Sequence, residues 1–206
     1  MLRKNFIVKA LPVFAGVFLL SLSTCVVQEE QDSTVPKTGQ TLCYDTAGAV
    51  IDCEGTGQDG EYQAGVASPD PRFTDNGDDT VTDNLTGLIW TKDSNRAGES
   101  MIWQEALDYC EDLSLGACGD NWRLPNIREA RSLSNYGSIQ PSLPSGHPFT
   151  NVVMPMYYWT STTVTEDPTF CWTMNVGWGL EDYFLSKIND VYTTLAPTAW
   201  CVCGGQ

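Results

Sequence analysis

The run Gly119-Asp120-Asn121-Trp122-Arg123-Leu124-Pro125-Asn126-Ile127-Arg128-Glu129-Ala130-Arg131-Ser132-Leu133 decides how this chain is read. Trp122-Arg123-Leu124 is a short apolar run that stops at Pro125, whose ring biases Leu124 away from helix. Asn126 is a good N-cap, and Glu129 three residues on completes the pattern of a capping box. A short helix is therefore predicted from about Ile127 to Ser134. An amphipathic helix pattern precedes the run, and a strand-rich, aromatic region follows it.

The preceding helix is predicted from Ser100 to about Leu113. Trp103, Ala106, Leu107 and Cys110 fall at i, i+3, i+4, i+7 spacing, which marks one buried stripe. Glu105, Asp108, Glu111 and Asp112 lie largely off it. On the other side, Tyr157 to Thr163, Phe170 to Val176, Tyr183 to Leu185 and Ala199 to Cys203 are rich in Thr, Tyr, Phe, Trp and Val and read as strands. Cys201 and Cys203 share a face of the last one, since side chains alternate. The connection from Tyr136 to Pro155 holds four prolines and the only histidine, His147. A catalytic base needs a nucleophile or metal partner, and none is evident beside it.

Toward the N-terminus, Leu42 to Cys53 reads as a hairpin turning at Thr46-Ala47-Gly48, with a local Cys43–Cys53 disulfide expected at its ends. Glu54 to Ala67 is Gly-rich and acidic and is expected as mostly loop. Phe73 and Val81 flank Asp75-Asn76-Gly77-Asp78-Asp79, a strong hairpin turn signal. Asp83 to Gly87 forms a second turn, and Gly87 to Thr91 a strand. Asp75, Asn76, Asp78, Asp79 and Asp83 bring five oxygen-bearing side chains within nine positions. They could take Ca²⁺, a hard cation that needs several oxygens, although turns use the same residues for backbone reasons alone.

Arg3, Lys4 and Lys9 precede an apolar stretch from Leu11 to Leu22, too short to span a membrane and of signal-peptide length. It runs into Leu22-Ser23-Thr24-Cys25, which resembles a bacterial lipobox. Residues 1–24 are thus expected to be a lipoprotein signal peptide, with Cys25 lipidated. Residues 25–40 are expected to form a flexible polar tether, and residues 41–206 the domain, which begins with the hairpin and Gly-rich loop of residues 41–70. Removing the signal takes away three basic residues and no acid. Eight basic and 26 acidic residues remain, a formal charge of −18. Such a surface repels nucleic acid, anionic head groups and sulfated polysaccharide. No nucleic-acid partner is expected, and contact with the membrane is expected through the N-terminal lipid only.

Eight cysteines behind an export signal read as disulfides. Setting Cys25 aside leaves seven, so one thiol is odd. No Cys-x-x-Cys occurs, which argues against an ordinary zinc site.

The ordered motifs Phe73 to Trp90, Trp103 to Cys110, Trp122-Arg123-Leu124-Pro125-Asn126, Tyr158 to Thr163 and Cys201 to Gln206 resemble the C-terminal domain of a Legionella collagen-like adhesin, the Lcl C-terminal domain family. The resemblance runs from about Thr41 to Gln206. The Trp-Arg-Leu-Pro run before a helix also looks like formylglycine-generating-enzyme and C-type-lectin-like domains. That likeness implies an α+β fold with two helices packed on small antiparallel sheets, stapled by disulfides. It implies a Cys110–Cys201 disulfide between first helix and last strand. Cys203 departs from the family's usual Arg. It could reach Cys118 and leave Cys171 odd, or pair with Cys171.

In function, the resemblance implies a surface binding domain without catalysis, for carbohydrate or an extracellular host or matrix protein, at the outer membrane or cell surface; a periplasm-facing anchor is the alternative placement. The founding domain's sulfated-glycan binding through a basic surface does not carry over, because the charge here has the opposite sign. In lectin-like folds the ligand face lies in the long loops before the final strands, which here hold Thr165, Glu166, Asp167, Trp178, Glu181 and Asp182. Trp178 between glycines could stack on a sugar ring. A structural envelope protein without a small ligand is the alternative. An oxidase using a copper-bound Cys201 and Cys203 pair is a weaker one, as their spacing does not match that active site. No cofactor is expected beyond the calcium considered above.

Overall fold

The computed structural model describes residues 35–152, 157–177, 183–188 and 197–205. All of them belong to one compact unit, Asp32–Gln206. Among these residues the architecture is α+β, with three antiparallel sheets, few short helices and three disulfides.

Strands β1 (Cys43–Tyr44) and β2 (Val50–Ile51) form the first hairpin, pairing Cys43 with Ile51 and Tyr44 with Val50. Asp45 organises the turn by accepting Ala47 and Ala49 N–H at 2.9 and 2.8 Å. The Cys43–Cys53 disulfide closes the hairpin as expected. Residues 54–67, expected as loop, contain one helical turn, α1 (Asp59–Tyr62). Four residues including a glycine carry no helical period, so nothing in the pattern announced it. Its anchor is Glu61, which accepts Gly55 and Gly57 N–H at 2.7 Å each. These two donors hold the Glu61 carboxyl below its ordinary value. Gly60 is required where it stands, because a Cβ there would lie 2.4 Å from the Leu42 carbonyl oxygen.

The second sheet has the order β3-β4-β5-β9, with β3 Phe73–Asp75, β4 Thr80–Asp83, β5 Ile89–Thr91 and β9 Val202–Cys203. The third is β6-β7-β8, with β6 Tyr157–Thr163, β7 Phe170–Asn175 and β8 Tyr183–Ser186. Between them lie α2 (Trp103–Glu111), a 3₁₀ turn at Gly116–Cys118, and α3 (Ile127–Ser132). Helix α2 starts later than Ser100 because the amides ahead of it are used elsewhere. Met101 N–H goes to the Pro197 carbonyl and Trp103 N–H to the Lys187 carbonyl. Helix α3 stops at Ser132 because Leu133 and Ser134 N–H turn to the carbonyls three residues back, the tighter bonding of a helix end.

The last segment sits between the second and third sheets. Thr198 bridges Tyr158 of β6, while Val202 pairs with Trp90 of β5 on one side and with Arg123 on the other. A strand over 199–203 shortens to β9 because the segment changes partner halfway. Its side chains alternate, as strand geometry demands. Trp200 and Val202 enter one core with Phe73, Val81, Trp90 and Tyr158. Ala199, Cys201 and Cys203 enter a second with Ala106, Trp122, Leu124 and Trp159. Trp200 meets Trp90, Phe149 and Tyr158 at centroid distances of 5.7, 4.9 and 5.0 Å, and its Nε1–H donates to the Thr91 carbonyl. Two disulfides fasten the same segment, Cys110–Cys201 from α2 and Cys118–Cys203 from the 3₁₀ turn. Among the described residues Cys171 is the free thiol, and it is buried, so the Cys171–Cys203 alternative does not form.

Candidate functional site

The Trp122 run organises one wall of the surface that concerns function. Trp122 and Leu124 are buried, and Arg123 N–H and carbonyl both bond to Val202. Asn126 caps α3 by accepting Arg128 and Glu129 N–H at 2.9 and 3.0 Å, and its own N–H returns to Glu129 Oε2 at 2.8 Å. The Arg123 guanidinium grips Glu129 with two bonds and donates to the Gly204 carbonyl at 3.0 Å. Helix α3 is thereby locked by its first turn to the end of the chain. Ala130 faces the core, while Arg128 and Arg131 are exposed on the opposite side.

A cleft of about 770 Å³ opens along α3. Residues 35–38 form one wall, held by the Pro36–Val66 bridge and by Tyr136 N–H on the Thr38 carbonyl. Arg128, Arg131 and Ser134 border the other wall, and Tyr136 and Trp172 contribute rings. Among the described residues no acidic side chain lines it. A smaller hollow of about 320 Å³ also borders on Arg128 and Ser132. The Ser134 hydroxyl oxygen is buried and has no hydrogen-bond partner among the described residues. The volume suits a small ligand, since such pockets run to about 300–1,000 Å³.

This cleft was not among the residues singled out from sequence. Its walls come from segments about 90 and 135 positions apart in the chain, and only the fold brings them together. The one available signal was Arg128 and Arg131, two cations three apart on a helix of an acidic chain. Residues at that spacing share a helix face.

The residues expected to bind ligand are placed in part. Thr165, Glu166 and Asp167 are exposed in the β6–β7 loop. Asp167 accepts the Thr169 hydroxyl and N–H, which hold its carboxyl below the ordinary carboxylate value, so it shapes its own turn. Trp178, Glu181 and Asp182 lie outside the described residues, as does Cys25.

The five oxygen-bearing residues of the β3–β4 region do not surround one point. Asp83 is fully buried and turned to Arg72, with Nε–Oδ1 at 2.7 Å and Nη2–Oδ2 at 2.8 Å. Asp75 holds Lys92 at 2.7 Å, which lowers its pKa, and Asn76 bonds Thr80 and Thr82. Asp78 accepts Thr80 N–H, and Asp79 lies 3.4 Å from Arg96. Among the described residues no three His, Cys, Asp or Glu side chains are grouped to hold a metal ion. The turn chemistry and nearby cations occupy these oxygens.

The cysteines and the histidine singled out from sequence have the following surroundings. Cys201 and Cys203 are both bound in disulfides. The Cys171 thiol is pushed up to about 12 by burial, so it is not a thiolate at neutral pH. His147 has its pKa lowered, mainly by burial, and its Nδ1 has no partner among the described residues.

A disulfide-stapled α+β domain with a ligand-sized cleft is the class these observations define. The family model of the Lcl C-terminal domain matches residues 79–197, more than half of the chain. The chain therefore belongs to the Lcl C-terminal domain family. No curated protein and no solved structure matches it. The wall at residues 35–38 lies outside the family match.

Proposed function

We propose that this is a bacterial envelope lipoprotein, lipidated at Cys25 and held at the outer membrane or cell surface. Its domain, C-type-lectin-like in architecture, is a non-catalytic binding module for carbohydrate or for an extracellular protein. The observation that carries this reading is the cleft along α3. It offers two aromatic rings, hydroxyl groups and cations on a scaffold whose surrounding elements are cross-linked. Aromatic faces with a few placed polar groups are what a sugar or a peptide side chain needs. Family membership supports an adhesin-like surface role. Among the described residues no helix is long and apolar enough to cross a membrane; attachment rests on the lipid.

The alternative of a structural envelope protein shares the scaffold but gives the cleft no task. The copper-oxidase alternative needs two thiolates where Cys201 and Cys203 are disulfide-bonded. A glycan array probed with the purified, oxidised protein tests the carbohydrate arm. Binding to a restricted set of glycans is expected. Uniform absence of signal with and without chelator removes the carbohydrate reading. Retention of binding in chelator removes a calcium requirement.

A further inference from the structure

We infer that the β1–β2 hairpin, whose residues line no part of the α3 cleft, takes an extended, lysine- or arginine-bearing protein segment as a third strand on the edge of β2. Backbone hydrogen bonding is the first ground. Asp45 N–H donates to the Ala49 carbonyl, which makes these two a bonded pair. Bonded and unbonded pairs alternate along an antiparallel ladder. Tyr44 and Val50, the next pair in the register, therefore point their N–H and carbonyl groups away from each other. On the β1 side these groups are covered. Gln58 Oε1 accepts Tyr44 N–H at 3.0 Å, and Gln58 Nε2 donates to the Tyr44 carbonyl at 2.9 Å. On the β2 side, among the described residues, no hydrogen bond uses the N–H or carbonyl of Val50, or those of Asp52 two positions on. One edge of the hairpin is sealed and the other is open. An open edge invites pairing with another chain, and proteins commonly blunt it with lysine or proline; neither stands between Ala49 and Asp52.

The side chains around that edge state the chemistry of the occupant. Cys43 is buried on one face of the hairpin, where α1 brings Gly60 against it. Tyr44 and Val50 lie opposite each other on the other face and are exposed, Val50 by 61%, with Leu42 exposed beside them. Residues 38–71 carry Asp45, Asp52, Glu54, Asp59, Glu61 and Asp70 and no Lys, Arg or His. None of these acids enters an ion pair among the described residues. Side chains of an added strand alternate between its faces, so apolar residues on one face can cover Tyr44 and Val50 while basic residues meet the surrounding acids. A second copy of this chain would bring six more acids to the same place and is repelled, as are anionic lipid head groups.

The hairpin is also set for pairing before a partner arrives. The Cys43–Cys53 disulfide ties its ends and Asp45 holds its turn, so the ordering cost of binding falls on the incoming segment. Strand addition of this kind draws affinity from main-chain hydrogen bonds and specificity from the alternating side chains. The hairpin lies outside residues 79–197 of the family match, so this surface is additional to the matched domain.

Amide chemical-shift titration of the full, oxidised chain tests this with three short synthetic peptides. One alternates lysine and valine, one alternates glutamate and valine, and the third is the lysine–valine peptide N-methylated at every residue, which keeps the charge and removes the donors. The first is expected to shift the amides of Val50 and Asp52, to slow their hydrogen exchange, and to bind at least ~10-fold tighter than either of the others. Val50→Pro removes the outward N–H at an edge position that tolerates proline, and Val50→Lys sets a like charge against the peptide. Each is expected to weaken binding by ~10-fold or more; Val50→Lys keeps the test valid if proline disturbs the hairpin. Absence of binding, equal affinity for the three peptides, or shifts that bypass Val50 and Asp52 each overturns the inference. So does self-association of the chain, or sedimentation with phosphatidylcholine vesicles, that Val50→Lys abolishes, because the edge would then serve a second copy or a membrane. A glycan array without signal leaves this inference untouched, and failure of the peptides leaves the cleft reading standing.

Discussion

Arg123 and Glu129 face each other in a two-bond fork, Nη1 to Oε2 at 2.8 Å and Nη2 to Oε1 at 2.7 Å, and the same Oε2 accepts Asn126 N–H. One carboxylate therefore caps α3 and, through Arg123, ties it to Gly204. Burial alone would raise the Glu129 pKa, but the Arg123 hydrogen bonds, the Asn126 N–H and the Arg123 charge together hold it below the ordinary value. The same fork raises Arg123.

The lowered Glu129 pKa gives stability that is present above its unfolded value, about 4.3, and is lost as pH falls through the folded one. Glu129→Gln is expected to lower stability at pH 7 by about 1–2 kcal/mol, the scale of charge-assisted hydrogen bonds lost. The gap to the unsubstituted protein should close as pH falls below about 4. Urea midpoints at pH 7 and at pH 3 measure both. A gap that persists at pH 3 would show that the charge of Glu129 is not what matters.

Asp83 is fully buried and depends on Arg72, with Leu85 N–H and the Thr86 hydroxyl as further donors. Arg72→Ala leaves that carboxylate without its cation and is expected to cost about 3–5 kcal/mol in denaturant unfolding. Combining it with Asp83→Asn should cost less than Arg72→Ala alone. A double variant weaker than both singles would contradict the pairing.

The two remote disulfides differ in reach from the hairpin one. Cys110–Cys201 spans 91 positions and Cys43–Cys53 spans 10. In the chain-entropy model these are worth about 4–5 and about 3 kcal/mol. Replacing both cysteines of each pair by Ala and comparing melting temperatures should rank Cys110–Cys201 as the larger loss. The reverse order would place native-state packing above loop closure.

The thiol of Cys171 is buried and its pKa is pushed up to about 12, by burial first and against the charge of Lys187. Iodoacetamide at pH 8 is expected to leave it unlabelled in the folded protein. Unfolding without reductant should expose it to one alkylation within residues 41–206. Mass spectrometry of the peptides reads this directly, and rapid labelling in the folded state would contradict the burial.

Much of the fold was legible because it is local. The capping box at Asn126 and Glu129, the Asp-Asn-Gly turn and the stripe on α2 each depend on neighbours within about seven positions, and all formed. The Cys110–Cys201 pair was legible only through family likeness, since spacing alone does not select a partner. What stayed hidden is non-local. Val202 between Trp90 and Arg123, Asp83 turned inward to Arg72, and residues 35–38 beside α3 are set by tertiary contact. Asp83 shows the cost of reading composition alone. Grouped with the turn acids by sequence, it points instead into the core.

The α3 cleft is the proposed binding site of this domain. Amide chemical-shift mapping with the strongest glycan from the array tests it most directly. Perturbations are expected at residues 36–38, at 127–134 and around Trp172. Perturbations confined to the β6–β7 loop at residues 164–169, with the cleft silent, would contradict it.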